Sequence, residues 1–164
     1  MDILYCILLV IFWHLIVFIF TTNLNCNLFY EKCSHINIKK NSRQEKFYDF
    51  LKIKKWKSKV PECVCRKSIS GEPFIKRRFK TCKTEYVKDF IAETYIAELN
   101  HIISCMVIFV LFFILKLRTA ILFSFVIIFI NLPCIFIQRY NRARLKKLFF
   151  KKINRLENRS LLKL

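Results

Sequence analysis

The sequence predicts an all-α integral membrane protein with about three transmembrane helices and a basic segment between the first and the second. Three observations carry that prediction. At 164 residues the chain is at most one small domain, so hydropathy decides its class. Apolar residues fill three runs, Ile3 to Phe20, Ile102 to Leu115 and Ala120 to Ile137. The charge, 30 Lys and Arg against 11 Asp and Glu, is crowded between and after those runs.

The first run is interrupted only by Trp13 and His14. It starts with Asp2, lacks a basic leader and has no small-residue cleavage site before Thr21, so residues 1–22 are expected to stay as a transmembrane anchor. His14, mid-span beside Trp13, is expected to be a satisfied packing residue. Residues 23–83 read as a basic cytoplasmic or interfacial segment. Within it Gln44 to Val60 is predicted helical in part, with Ile53, Trp56 and Val60 on one face and lysines around most of the rest. That pattern suits a headgroup interface, and Pro61 ends it. Ser70-Gly71-Glu72-Pro73 holds the only glycine and predicts a turn leading into a basic-aromatic strand or loop, Phe74 to Phe79.

Residues 84–164 form the third segment. Thr84 is a candidate N-cap, and a helix is predicted to run unbroken from there to Leu115. Its length, roughly 45 Å, exceeds the hydrocarbon thickness, so it must project from the bilayer. A tight hairpin is expected at Lys116 to Thr119, then a span through Pro133, then a basic tail.

Charge predicts orientation. From Lys39 to Asp89 there are 17 Lys and Arg against 6 Asp and Glu, and Arg139 to Lys163 adds 10 more against Glu157. Positive-inside bias places both basic segments in the cytoplasm of a multi-pass cell-membrane protein, with Lys116 and Arg118 running mildly against the rule. A net charge of +19 also suits nucleic acid, but beside three apolar runs a face held near anionic lipid is the more economical reading, and no nucleic-acid partner is expected. The eight cysteines fit no disulfide framework. Cys63-x-Cys65 with Cys82, or Cys33-x-His35, matches no standard zinc spacing, so free thiols and no metal are expected.

Two polar patterns carry candidate chemistry. On a helix Asn131, Gln138 and Arg142 fall within about 40° of one another, a stripe at bilayer depth where each polar group needs a partner. Arg139, Tyr140 and Asn141 crowd the same boundary. On the preceding helix Glu93, Thr94, Ala97, Glu98 and His101 share an arc of about 140°. A carboxylate three residues before a histidine can hold its ring and favour the imidazolium, the equipment for deprotonating a hydroxyl that attacks an acyl carbonyl. The plainer alternative is that Glu98 and His101 solvate a helix mouth or pair with arginines. With a single glycine the chain has no phosphate-cradling loop, dinucleotide fingerprint or Gly-x-Ser-x-Gly elbow. No histidine is followed by Asp at the spacing of a soluble-type acyltransferase.

Four blocks, in order, resemble a known family. Glu45-Lys46-Phe47-Tyr48 through Lys55-Trp56-Lys57-Ser58-Lys59-Val60-Pro61-Glu62 is similar to the "K-x-WK-x-x-LP-E" block of the glycosyl-4,4'-diaponeurosporenoate acyltransferases. Lys76-Arg77-Arg78 after the glycine turn resembles "GGF-x-KR". Glu93-Thr94-Tyr95-Ile96-Ala97-Glu98-Leu99-Asn100-His101 resembles "ET-x-RAEL-x-H". Asn131-Leu132-Pro133-Cys134 with Gln138 to Leu145 resembles "NLPCI-x-x-QRYNRPRL" closely. Departures are Ile96 for arginine, Ala143 for proline and the weakened glycine turn.

The resemblance implies an integral membrane enzyme of staphyloxanthin-type carotenoid biosynthesis, esterifying a hydroxyl of a glycosylated lipid with a fatty acyl chain. From their own chemistry, with no catalytic assignment carried over from the family, His101 and Glu98 are the expected catalytic pair. Glu93, Asn131, Gln138, Arg139, Tyr140, Asn141, Arg142, Trp56, Lys57 and Arg77 are the expected substrate-binding residues. No cofactor is expected, a long-chain acyl-CoA-type donor entering as substrate, and the partners are membrane lipids and the glycosylated lipid acceptor. The rival from another class is a non-enzymatic membrane protein whose basic face binds anionic lipid or a partner.

Overall fold

The computed structural model describes residues 3–25, 28–29, 42–60 and 84–161. Nearly all of these are helical and none lies in a strand, in agreement with the all-α class. The helices are α1 (Ile3–Thr22), α2 (Ser42–Phe50), α3 (Ile53–Trp56), α4 (Thr84–Cys105), α5 (Val107–Ile114) and α6 (Leu117–Leu161), with a 3-10 turn at Lys57–Lys59. The expected turn at Ser70 to Pro73, the strand or loop at Phe74 to Phe79, Arg77, and Cys33, His35, Cys63, Cys65 and Cys82 lie outside the described residues.

Three stretches are long and apolar enough to cross a membrane, Ile3–Thr22, Glu85–Ile114 and Leu117–Lys151. Their surfaces agree with that reading. Phe113 is 91% exposed and Phe129 80%, a placement that suits lipid tails and would be costly in water.

The chain divides into two compact units. The first comprises Met1–Leu24 and Ile96–Gln138. Its α1 is built from apolar residues without glycine or proline, and it ends where side chains take over the last carbonyls. The Thr22 hydroxyl donates to Phe18 O at 2.9 Å and the Asn23 amide to Ile19 O at 2.9 Å. His14 satisfies itself in the same way, Nδ1 donating to Val10 O at 2.8 Å. Thr21 donates to Asn100 Oδ1 at 2.9 Å, tying α1 to α4. Val107, Leu111 and Ile127 form the core, with Leu9, Val10 and Trp13 packed on it.

The helix expected to run unbroken to Leu115 is interrupted at Met106. Here Met106 N bonds Ile103 O at 2.9 Å and Phe109 N bonds Met106 O at 3.1 Å, two tight i→i+3 bonds. Ile103 O also accepts the Trp13 indole N–H at 3.2 Å. A side chain from another helix inserted at a backbone carbonyl is a recognised cause of such a break, and it replaces proline or glycine as the reason here. The hairpin is also tighter than expected. Leu115 is extended, at φ −102° and ψ 156°, and α6 has already begun at Leu117.

The second unit comprises Asn25–Tyr95 and Arg139–Leu164. Its core is Tyr86, Val87, Phe90, Ile91 and Ala92 of α4 against Leu145 and Phe149 of α6. This packing explains why the basic tail continues α6, 45 residues long in all and passing through Pro133. The tail's lysines and arginines alternate with an i, i+4 apolar stripe that has somewhere to go. Ile91→Ala removes a side chain with no exposure at the centre of this core, so we expect a loss of about 2–5 kcal/mol. Thermal unfolding in detergent measures it.

The segment Gln44 to Val60 is helical in part, as expected, but broken at Lys52. That residue takes the left-handed conformation at φ 50°, and costs about 1–2 kcal/mol relative to an ordinary turn. The Trp56 indole offsets part of it by donating to Leu51 O at 2.9 Å, a carbonyl at the break. Ile53, fully buried, anchors the short α3.

Candidate active site

In the first unit the polar groups are held on α4 and α6, in segments that are otherwise apolar. Glu98 and Ser104 are buried on α4, and His101 between them is half-buried. On α6, Asn131 is 2% exposed. Its side-chain Nδ2 donates to Ile127 O at 2.9 Å, one turn back along the same helix. That bond fixes which way the amide points, because only a donor can face a carbonyl. Oδ1 is left facing α4, and His101 Nδ1 lies 2.9 Å from it. Nδ1 must therefore carry the proton, and the basic lone pair of the neutral ring is on Nε2. A buried asparagine thus sets the tautomer of a half-buried histidine.

Gln138 closes the polar stripe of this unit. It is 3% exposed, and its Oε1 accepts no hydrogen bond among the described residues. A buried orphan carbonyl costs about 1–3 kcal/mol, which a donor from a bound molecule would recover.

In the second unit the expected substrate-binding residues fall into two clusters. Arg142 sits over Tyr95, its guanidinium carbon 3.9 Å from the ring centroid, and donates to Thr94 O at 3.5 Å. Lys146, one turn on, donates to the Tyr95 hydroxyl at 3.0 Å. Thr94 is itself buried and bonded to Ile91 O at 2.6 Å. The second cluster joins Lys57 to Asn141 Oδ1 at 3.2 Å and to the face of Tyr140 at 5.2 Å. Tyr48 meets Tyr140 edge-on at 5.8 Å. Arg139 is exposed, Glu93 is half-buried on α4, and Trp56 uses its N–H within its own turn.

Arg142→Lys keeps the charge but loses the guanidinium's contact with the face of Tyr95. We expect about 1 kcal/mol of destabilisation from it. A lowered unfolding temperature in detergent is the readout.

Tyr95 and Lys146 are contributors the sequence reading passed over. Tyr95 sits inside the Glu93-to-His101 block, but nothing in its spacing marks it as an arginine's platform. Asn131, an expected substrate-binding residue, bonds His101. One signal pointed that way: both residues are polar interruptions at the edge of apolar runs, and each needs a partner.

Among the described residues Cys6, Cys105 and Cys134 form no disulfide, and no group of three His, Cys, Asp or Glu side chains is placed to hold a metal ion.

The model of one protein family matches residues 27–151, a stretch that includes every candidate residue above. Its description is CrtO, glycosyl-4,4'-diaponeurosporenoate acyltransferase. No curated protein and no solved structure is significantly similar to the chain.

Proposed function

Because the chain belongs to the glycosyl-4,4'-diaponeurosporenoate acyltransferase family, we propose that it moves a fatty acyl group from an acyl-thioester donor to a hydroxyl of a glycosylated lipid at the cell membrane. The basic segments face the cytoplasm in this reading, on the side where positive charge is retained. The observation that carries the chemistry is the His101–Asn131 bond at 2.9 Å, which leaves the basic nitrogen of an oriented imidazole on Nε2.

His101 Nε2 takes the proton of the acceptor hydroxyl as its oxygen attacks the thioester carbonyl carbon. A tetrahedral oxyanion forms. The carbon–sulfur bond then breaks, and the imidazolium returns the proton to the departing thiolate. The products are the ester and the free thiol, so His101 ends as it began. Glu98, three residues earlier on α4, is the carboxylate that favours the imidazolium midway. Gln138 Oε1 suits a hydroxyl donor, the group a sugar presents in several copies, and as an acceptor it has no part in stabilising an oxyanion. Within the second unit, the basic run of α6 from Arg139 onward carries positive charge of the kind that holds phosphates.

The test is direct. The purified chain is incubated with a radiolabelled fatty acyl-CoA and a carotenoid glycoside, and the extracted lipid is analysed by chromatography and mass spectrometry. A labelled glycoside ester is the expected product. A folded preparation that forms none, across short and long acyl donors, overturns the assignment and favours a lipid- or partner-binding protein.

A further inference from the structure

The basic run of α6 is not one surface. Arg142 and Lys146 turn towards Tyr95 of α4, while Arg144, Lys147 and Lys151 line a groove of about 360 Å³ whose opposite wall is Tyr48 and Asp49 of α2. On a helix those three cations lie within about 60° of each other, and Tyr140 precedes them on the same stripe. The groove is concave, with two phenol rings and three cations against one carboxylate, a net charge of +2 (3 − 1). The second unit supplies all of it.

We propose that this groove binds the nucleotide diphosphate end of the acyl-thioester donor. The donor's identity rests on the acyl-transfer reading; the anionic character of the ligand rests on the groove alone. Asp49 narrows the ligand further. A carboxylate among cations repels a bare phosphate, but it accepts hydrogen bonds from the ribose hydroxyls and amino group that a nucleotide carries alongside its phosphates.

The experiment uses the full chain in nanodiscs of zwitterionic lipid, with CoA as the probe and binding followed by calorimetry. We expect CoA to bind, pyrophosphate to compete weakly, and added phosphatidylglycerol vesicles not to compete. Lys147→Glu with Lys151→Glu should weaken CoA on the order of tenfold or more. The milder Lys147→Gln with Lys151→Gln, which preserves helix propensity, should weaken it in the same direction. Asp49→Asn should narrow the preference for CoA over pyrophosphate. Unchanged CoA affinity in both double variants overturns the groove, as does displacement by phosphatidylglycerol. Binding through these residues with no ester formed upholds the groove and removes the reaction. Ester formation untouched by the double substitutions overturns the groove and leaves the reaction standing.

Discussion

His101→Gln should fold and lose acyl transfer by about two to four orders of magnitude, the usual contribution of a positioned general base. Glutamine is chosen over alanine for a structural reason. Asn131 Oδ1 is buried and bonded to the imidazole at 2.9 Å, so alanine leaves an orphan acceptor in an apolar setting, at a cost of about 1–3 kcal/mol. Glutamine offers an amide donor to the same oxygen and has no group that accepts a proton at neutral pH. His101→Ala should therefore lose both activity and stability, and His101→Gln chiefly activity. Parallel measurement of ester formation and thermal unfolding separates the two. A His101→Gln protein that unfolds as the parent does and transfers acyl groups at the parent rate removes histidine from the chemistry.

The fold was legible where one physical term dominates. Three apolar runs in a short chain leave few alternatives to membrane-length helices, and all three are present. What escaped the sequence was set by partners distant along the chain. The interruption at Met106 arises because Trp13, some ninety positions earlier, reaches the Ile103 carbonyl, and neither residue carries a local sign of it. Lys52 occupies a left-handed position that glycine usually takes, so no turn residue marks the break between α2 and α3. The C-terminal basic run read as a tail because its charge hides the stripe of Leu145 and Phe149, which becomes a helix face only against Tyr86, Val87, Phe90 and Ile91.

The site shows the same division. Glu98 and His101 stand out as a carboxylate and an imidazole at helical spacing before an apolar run. That Arg142 sets its guanidinium over Tyr95 depends on the pairing of α4 with α6, which spacing on either helix alone does not encode.

Asn131 tests whether the tautomer matters. In the wild type its amide is locked by Ile127 O and accepts from His101 Nδ1, so the histidine has one proton arrangement and one ring orientation. Asn131→Leu fills the space and removes the acceptor. The ring is then able to carry its proton on either nitrogen, and only one arrangement can take a proton from the substrate through Nε2. We expect kcat to fall by about one to two orders of magnitude with KM little changed, because the substrate's own contacts are untouched. Asn131→Asp retains an oxygen facing Nδ1 and should recover much of the lost rate, although a carboxylate beside the Ile127 carbonyl costs stability. Rate alone does not distinguish orientation from partial misfolding. Nitrogen-15 spectra of histidine-labelled protein do, since they report which ring nitrogen holds the proton. The expected pattern is an Nδ1–H ring in the wild type, a mixture in Asn131→Leu, and Nδ1–H again in Asn131→Asp. If Asn131→Leu keeps the Nδ1–H form, or shows the mixture at undiminished kcat, the asparagine has a packing role and nothing more.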